Sequence, residues 1–137
     1  MPEALTIELC SPQHAPVELD ATEIVLPGAS GVLTVLPGHT AALTALTHGV
    51  VIVYDQEDET GSFFAVHEGF AEILGDRILV LADVMEPRAA IDEDRAKAAL
   101  ERATGRLEKP KPGISVLRAE AALARARARL RAHDREE

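Results

Sequence analysis

Leu5, Ile7 and Leu9 alternate with Thr6 and Glu8 near the start of the chain. This is the period-two signature of a strand with one face buried. Short runs rich in Val, Ile, Leu and Phe follow over residues 23–26, 32–36, 50–54, 63–66, 70–74 and 78–81. Such side chains fit a pleated, half-buried surface. Turn residues separate the runs: Pro27-Gly28, Ser30-Gly31, Pro37-Gly38, His48-Gly49, residues 55–61, Glu68-Gly69 and Gly75-Asp76. The apolar run over 41–46 is too short to reveal its period. Many short strands with no helical pattern between them predict a small antiparallel β-sandwich or flattened barrel.

The pattern changes at Glu86-Pro87. Pro87 keeps any following helix from running back through Glu86. Asp92 is placed to cap a helix, with Glu93 and Asp94 in the first turn, where carboxylates favour the positive end of the helix dipole. Ala96, Leu100, Ala103 and Leu107 then form one narrow apolar stripe. Gly105 weakens the last turns, and Pro110, Pro112 and Gly113 end the helix, with a connection over residues 108–114. Ser115 is placed to cap a second helix, whose stripe is Val116, Ala119, Leu123, Ala126 and Leu130. Two stripes rich in small residues predict a close antiparallel helical hairpin. The expected fold is therefore α+β: a sandwich over residues 1–86 and a hairpin over 87–137. Alanine buries little area, so the hairpin is expected to be loosely held and able to move as a unit.

With 137 residues and a mass of 14.7 kDa, the chain suits one compact domain with an appendage. Its apolar residues are aliphatic: three Phe, one Tyr and no Trp. That leaves no aromatic platform for stacking nucleic-acid bases. The net charge of -9 is divided unevenly. Residues 1–90 carry 14 acids and 2 bases, and residues 91–137 carry 9 acids and 12 bases, giving -12 and +3. The front part repels nucleic acid and anionic membrane, so only the tail welcomes an anion or an acidic partner. A single cysteine, Cys10, excludes an internal disulfide and a thiolate-rich zinc site. No apolar run approaches the roughly 20 residues that span a bilayer. Met1-Pro2-Glu3 opens no signal or transit pattern, so a soluble protein of the cell interior is expected.

Chemistry is sparse. His14, His39, His48 and His67 sit in turns or at strand ends, without the spacing of a metal site. Cys10, beside Glu8, is not activated as a nucleophile. Serine-hydrolase, phosphate-loop and dinucleotide motifs are missing, so no catalytic and no metal-ligating residues are assigned. The last helix is more informative. Arg125 and Arg129 share one face, and Arg127 and Arg131 another, with Arg118 further back. Guanidinium groups so arranged suit an anion or an acidic protein surface.

The stretch Ile91-Asp92-x-x-Arg95-Ala96 brings a known family into view. The chain resembles the epsilon subunit of bacterial and chloroplast F-type ATP synthases. The similarity runs through the opening strand to Ser11-Pro12 and the stretch Leu26-Pro27-Gly28-x-x-Gly31-x-Leu33-x-x-Leu36-Pro37-Gly38-His39. It continues through Leu43-x-x-Leu46-x-x-Gly49-x-Val51, Glu68-Gly69-Phe70-Ala71-Glu72-Ile73 and Ile78-x-Val80-Leu81-Ala82-Asp83. Taken in order and spacing, these pieces are specific and cover essentially the whole length.

The resemblance implies a sandwich of about ten strands followed by two helices. It also implies a non-catalytic subunit of the rotating central stalk, which couples the rotor to the catalytic head. Its partners would be the gamma subunit, the c-ring and the alpha/beta catalytic hexamer, with membrane association only through the complex. Its place would be the cytoplasmic face of the bacterial membrane, or alternatively the stromal side of the thylakoid. The tail would switch between a folded hairpin and an extended form that brakes ATP hydrolysis, with Arg125, Arg127, Arg129 and Arg131 against the catalytic subunits. Ser30, Gly31, Val32 and His39 match the docking loops for the c-ring and gamma. No cofactor is required, but in some members the folded hairpin holds ATP. The matching residues are Glu86, Ile91, Asp92, Arg95, Ala96, Arg125 and Arg129. Two departures stand out. Val32 occupies a position that is acidic in many members, and Thr40-Ala41 replaces a family proline after His39. The rival reading is a ligand-binding sandwich, either non-catalytic with a helical interaction tail or an enzyme, which would be favoured if His14, His39, His48 and His67 lay within metal-ligand distance of one another.

Overall fold

The computed structural model describes residues 4–55, 60–109, 111–113 and 115–134. Eight strands come first: β1 (Leu5–Ser11), β2 (His14–Ala21), β3 (Glu23–Gly28), β4 (Gly31–Val35), β5 (Ala42–Leu46), β6 (Gly49–Asp55), β7 (Thr60–Leu74) and β8 (Arg77–Pro87). A single 3-10 turn over Arg88–Ala90 leads into helices α1 (Glu93–Glu108) and α2 (Val116–Asp134).

Two of these strands serve two layers each. The first half of β7 pairs with β6, from Gly49↔Val66 to Asp55↔Thr60. Its second half pairs with β5, from Leu46↔Gly69 to Ala42↔Ile73. β8 follows β7 through the same division, pairing on both sides of the bend. Eight strands, two of them working as two halves, thus supply the ten strands the resemblance implies. The bend lies at Glu68-Gly69, with φ values of 62° and 145°. A Cβ on Gly69 would sit 2.1 Å from the Leu81 carbonyl oxygen, so only glycine lets the two backbones meet there.

One layer runs β2-β1-β8-β7-β5, and the other runs through β4, β3, β6 and the first half of β7. Leu5, Ile7, Leu9, Ile24, Leu26, Val35, Val51, Val66, Ile73, Ile78 and Val80 fill the space between them, each essentially inaccessible to water. One pairing departs from the antiparallel expectation. β1 lies parallel to β8, from Thr6↔Arg77 to Cys10↔Leu81, which makes the sheet mixed. β2 was not anticipated. Its side chains are mostly exposed, so it carries no apolar alternation, and it forms on the template of β1. The ambiguous run at 41–46 is strand β5, the centre of the turn-like 55–61 segment (56–59) lies outside the described residues, and 63–66 and 70–74 are parts of one strand.

The helices form where capping and periodicity place them. The Asp92 carboxylate accepts the Arg95 backbone N–H at 3.1 Å, and Ser115 Oγ accepts that of Arg118 at 3.3 Å. α1 buries Ala96 and Ala103, and α2 buries Ala119 and Ala126, so the hairpin closes on the expected stripes. Val116, placed on the expected stripe, is instead half exposed at 49%. It stands in the first turn of α2. Ala128 and Ala132 are also buried, because α2 has a second face that rests on β6 and β7. Pro110 and Ile114, in the expected connection, lie outside the described residues.

Candidate functional site

The first half of β7 alternates Phe64 and Val66 into the core with Ala65 and His67 outward. The end of β8 presents Glu86 beside them, since Ala65 pairs with Glu86 and His67 with Val84. α2 lies over this outer face. A small apolar cluster of Ala65, Ile91 and Ala132, with Val50 packed against it, anchors one end. Arg88 adds two ties: its Nε–H donates to the His133 carbonyl at 3.1 Å, and its guanidinium stacks 5.3 Å from the Phe63 ring centre.

The polar part of this junction is a chain of four side chains from four places in the sequence. His48 Nδ1 lies 3.3 Å from His67 Nδ1, and His67 Nε2 lies 2.9 Å from Glu86 Oε1. Arg129 Nε–H, from α2, donates to the same Glu86 oxygen at 2.7 Å. His67 is only 3% exposed. Glu68 stands at the far end, 3.6 Å from His48 Nε2. The hydrogen bond from His67, followed by that from Arg129, holds the Glu86 carboxyl below its ordinary range, against the opposite effect of burial. Burial, the neighbouring His67 ring and Arg125 together hold His48 below the ordinary histidine range, with Glu68 opposing them.

Beside this chain a cleft of about 340 Å³ opens between the end of β8, α1 and α2. Glu86, Asp92, Arg95, Arg102 and Arg129 line it, with Ala90, Ala96, Ala98 and Ala99 as a low apolar wall. Three guanidinium groups against two carboxylates make it a place for an anion with a polar head. Its volume lies within the roughly 300–1,000 Å³ usual for small-molecule sites.

Of the residues the resemblance assigned to ATP, Glu86, Asp92, Arg95, Ala96 and Arg129 come together here. Ile91 does not line the cleft; it is buried in the cluster with Ala65 and Ala132. Arg125 is half-buried one turn back, on the His48 side, and Arg102, not anticipated, takes a place in the lining. The arginine series of α2 divides as its spacing implied. Arg125 and Arg129 face the sandwich, whereas Arg127 and Arg131 are exposed. Ser30 closes the exposed turn between β3 and β4, and Gly31 and Val32 open β4, with Val32 76% exposed. His39 lies in the segment after β4, its ring Nδ1 2.6 Å from the Thr40 carbonyl oxygen. That segment is fastened by the Gly38 N–H, which donates to Asp76 at 3.1 Å.

Of the four strand-region histidines only His48 and His67 meet; His14 and His39 stand elsewhere. At the open end of the hairpin, Glu93, His133 and Asp134 gather as ion-pair partners, with Lys97 donating to Glu93 at 2.8 Å. The layer not covered by helices carries a second unanticipated feature. Leu43, Phe70, Leu74 and Leu81 are each about half exposed or more. Strand pairing sets Phe70 opposite Leu81 and Leu43 opposite Glu72, which places them on one face. An exposed apolar face of this kind marks a protein contact. The alternation of Phe70, Glu72 and Leu74 was the available signal, but which face is covered is decided by the helices.

A family model described as the beta-sandwich domain of the ATP synthase delta/epsilon chain matches residues 4–88. The chain belongs to the delta/epsilon-chain family of ATP synthase. The family's long alpha-helix domain matches residues 90–134. A relative called ATP synthase epsilon chain, from Solibacter usitatus, is 40% identical over 136 residues, covering 99% of this chain and 100% of that protein. One of the same name from Moorella thermoacetica is 40% identical over 129 residues, covering 94% and 96%. The fold is similar to that of a chain in the Euglena gracilis mitochondrial ATP synthase, with a TM-score of 0.82 at 20% identity, covering 96% of this chain and 82% of that one. It is also similar to a chain in the central stalk and c-ring structure of the Tetrahymena thermophila mitochondrial ATP synthase, with a TM-score of 0.63 at 13% identity, covering 94% and 96%.

Proposed function

We propose that this chain is the regulatory epsilon subunit of an F-type ATP synthase central stalk, non-catalytic itself, whose helical hairpin holds ATP in its folded form. The cleft carries this reading. Glu86 comes from the sandwich, Arg95 and Arg102 from α1 with Asp92 as its N-cap, and Arg129 from α2. A ligand that needs all three elements binds only the docked hairpin. Arg95, Arg102 and Arg129 neutralise the phosphates, and Glu86 and Asp92 accept from the adenine amino group or the ribose hydroxyls. ATP then favours the docked state by up to RT ln(1 + [ATP]/Kd).

The other surfaces fit the same role. The apolar face of Leu43, Phe70, Leu74 and Leu81 takes the gamma subunit, and the exposed Ser30–Val32 stretch and the His39 segment face the c-ring. Val32, 76% exposed, makes that contact apolar. In the docked state Arg129 is bound to Glu86 and Arg125 is half-buried, so release of the hairpin frees both to join Arg127 and Arg131 against acidic surfaces of the alpha/beta hexamer. Bacterial relatives favour the cytoplasmic face of the cell membrane, reached only through the complex. No helix among the described residues is long and apolar enough to cross a membrane.

Isothermal titration of the full chain with ATP tests the reading. Saturable heat is expected, reduced at least tenfold in affinity by Arg95→Ala with Arg102→Ala, two exposed arginines that do not hold the hairpin in place. Absence of heat at about 1 mM ATP, near −4 kcal/mol of binding free energy, would remove ATP from the proposal.

A further inference from the structure

The His48–His67 pair does not line the ATP cleft, although His67 holds Glu86 at its edge, and no ligand or partner contact has been assigned to it. We propose that it is a proton-sensitive latch: the docked hairpin has room for one proton on the two rings, and a second proton releases α2 from the sandwich.

The hydrogen positions follow from the partners. Ionised Glu86 only accepts, so His67 Nε2, 2.9 Å away, carries a hydrogen. In a neutral His67 the other nitrogen, Nδ1, then offers a lone pair, and His48 Nδ1–H donates to it across 3.3 Å. Protonating His48 keeps this bond and adds an N–H directed to Glu68 at 3.6 Å. Protonating His67 instead reverses the donor and also keeps the bond. With both rings protonated, two N–H groups confront each other at the same 3.3 Å, and two cations are confined beneath a helix that brings Arg125 and Arg129 to the site. Glu68 and Glu86 are the acids facing the pair, and Arg129 already occupies Glu86. His67 cannot turn to water while α2 is in place, because it is 3% exposed.

Lifting α2 relieves the conflict. What holds α2 down is otherwise modest: alanines on β6 and β7, the Arg88 ties and the Arg129–Glu86 pair. The sign is fixed by linkage. The undocked state takes up more protons than the docked state, so docking is intact above the ordinary histidine pKa of about 6.5 and weakens as pH falls below it. The lowered position of His48 has the same sign. Glu86, also lowered, contributes only at more acidic pH, where its carboxylate is lost. One excluded proton weakens docking by about tenfold between about pH 7.5 and pH 5.5.

Hydrogen exchange of the full-length chain, without nucleotide and corrected for intrinsic rates, tests the latch. Protection over residues 116–134 is expected to fall about tenfold across this pH range while the β3 and β6 amides stay protected. His48→Asn keeps a donor toward His67 Nδ1 and does not titrate; it should retain protection at pH 7.5 and lose most of the pH dependence. A flat wild-type profile, an unchanged slope in His48→Asn, or joint loss of α2 and strand protection would each overturn the proposal. If His48→Asn fails to fold, proton NMR titration of wild-type histidines decides. Both rings becoming protonated while α2 remains protected refutes the latch, and loss of α2 protection with the second protonation supports it.

Discussion

Replacing Arg129 with alanine isolates the polar tie between the two parts of the molecule. The bond removed is charge-assisted and short, 2.7 Å from Nε to Glu86 Oε1. Its two side chains are 30% and 26% exposed, so it lies between a screened surface pair and a buried one. Hydrogen bonds to charged groups contribute about 1.5–3 kcal/mol when buried, and partial exposure brings this to about 1–2 kcal/mol. Glu86 keeps its His67 partner, so no orphaned carboxylate adds to the cost. The loss falls on docking rather than on the sandwich, whose core is built wholly from strand residues. The expected result is a roughly 5- to 30-fold larger undocked population, from the same 1–2 kcal/mol. Limited trypsin digestion reads that population when opening is fast relative to cleavage. Cutting after Arg118 and Arg125 should accelerate by that factor, with the strand region intact. Cleavage of α2 no faster than in the wild type would refute the claim that Glu86 holds the hairpin through Arg129.

Two further substitutions probe the scaffold. Gly69→Ala forces a Cβ to 2.1 Å from the Leu81 carbonyl oxygen and 2.8 Å from the Ala82 Cα, at a φ of 145°. Urea denaturation should show a loss of about 3 kcal/mol or more, and a change within about 0.5 kcal/mol would mean that the bend is not constrained as described. Gly105→Ala places its methyl in open space within α1, so the helix should gain about 0.5–1 kcal/mol, read as a higher melting temperature of the helical circular-dichroism signal; a lower one contradicts it.

Elements whose pattern is local were legible in the order of residues. The Leu5–Leu9 alternation forms β1, Asp92 and Ser115 cap their helices, and the alanine-leucine stripes close the hairpin, because each depends on residues a few positions apart. The motif from Ile91 to Ala96, with Glu86 and Arg129, was legible as a candidate site only through the family resemblance. Other features depend on residues distant in the chain. β2 has no alternation of its own and is a strand because β1 offers it a partner. β1 and β8 are parallel because the β7–β8 turn at Gly75-Asp76 sets the start of β8 beside the start of β1, a meeting of distant residues that no local pattern encodes. Ala128 and Ala132 are buried because α2 has a second neighbour, invisible to a single stripe. His48 and His67, 19 positions apart, read as turn and strand-end residues until β6 and β7 pair and α2 closes over them. Burial and juxtaposition, which give those two rings their chemistry, arise from three elements packing together and are properties of none of them alone.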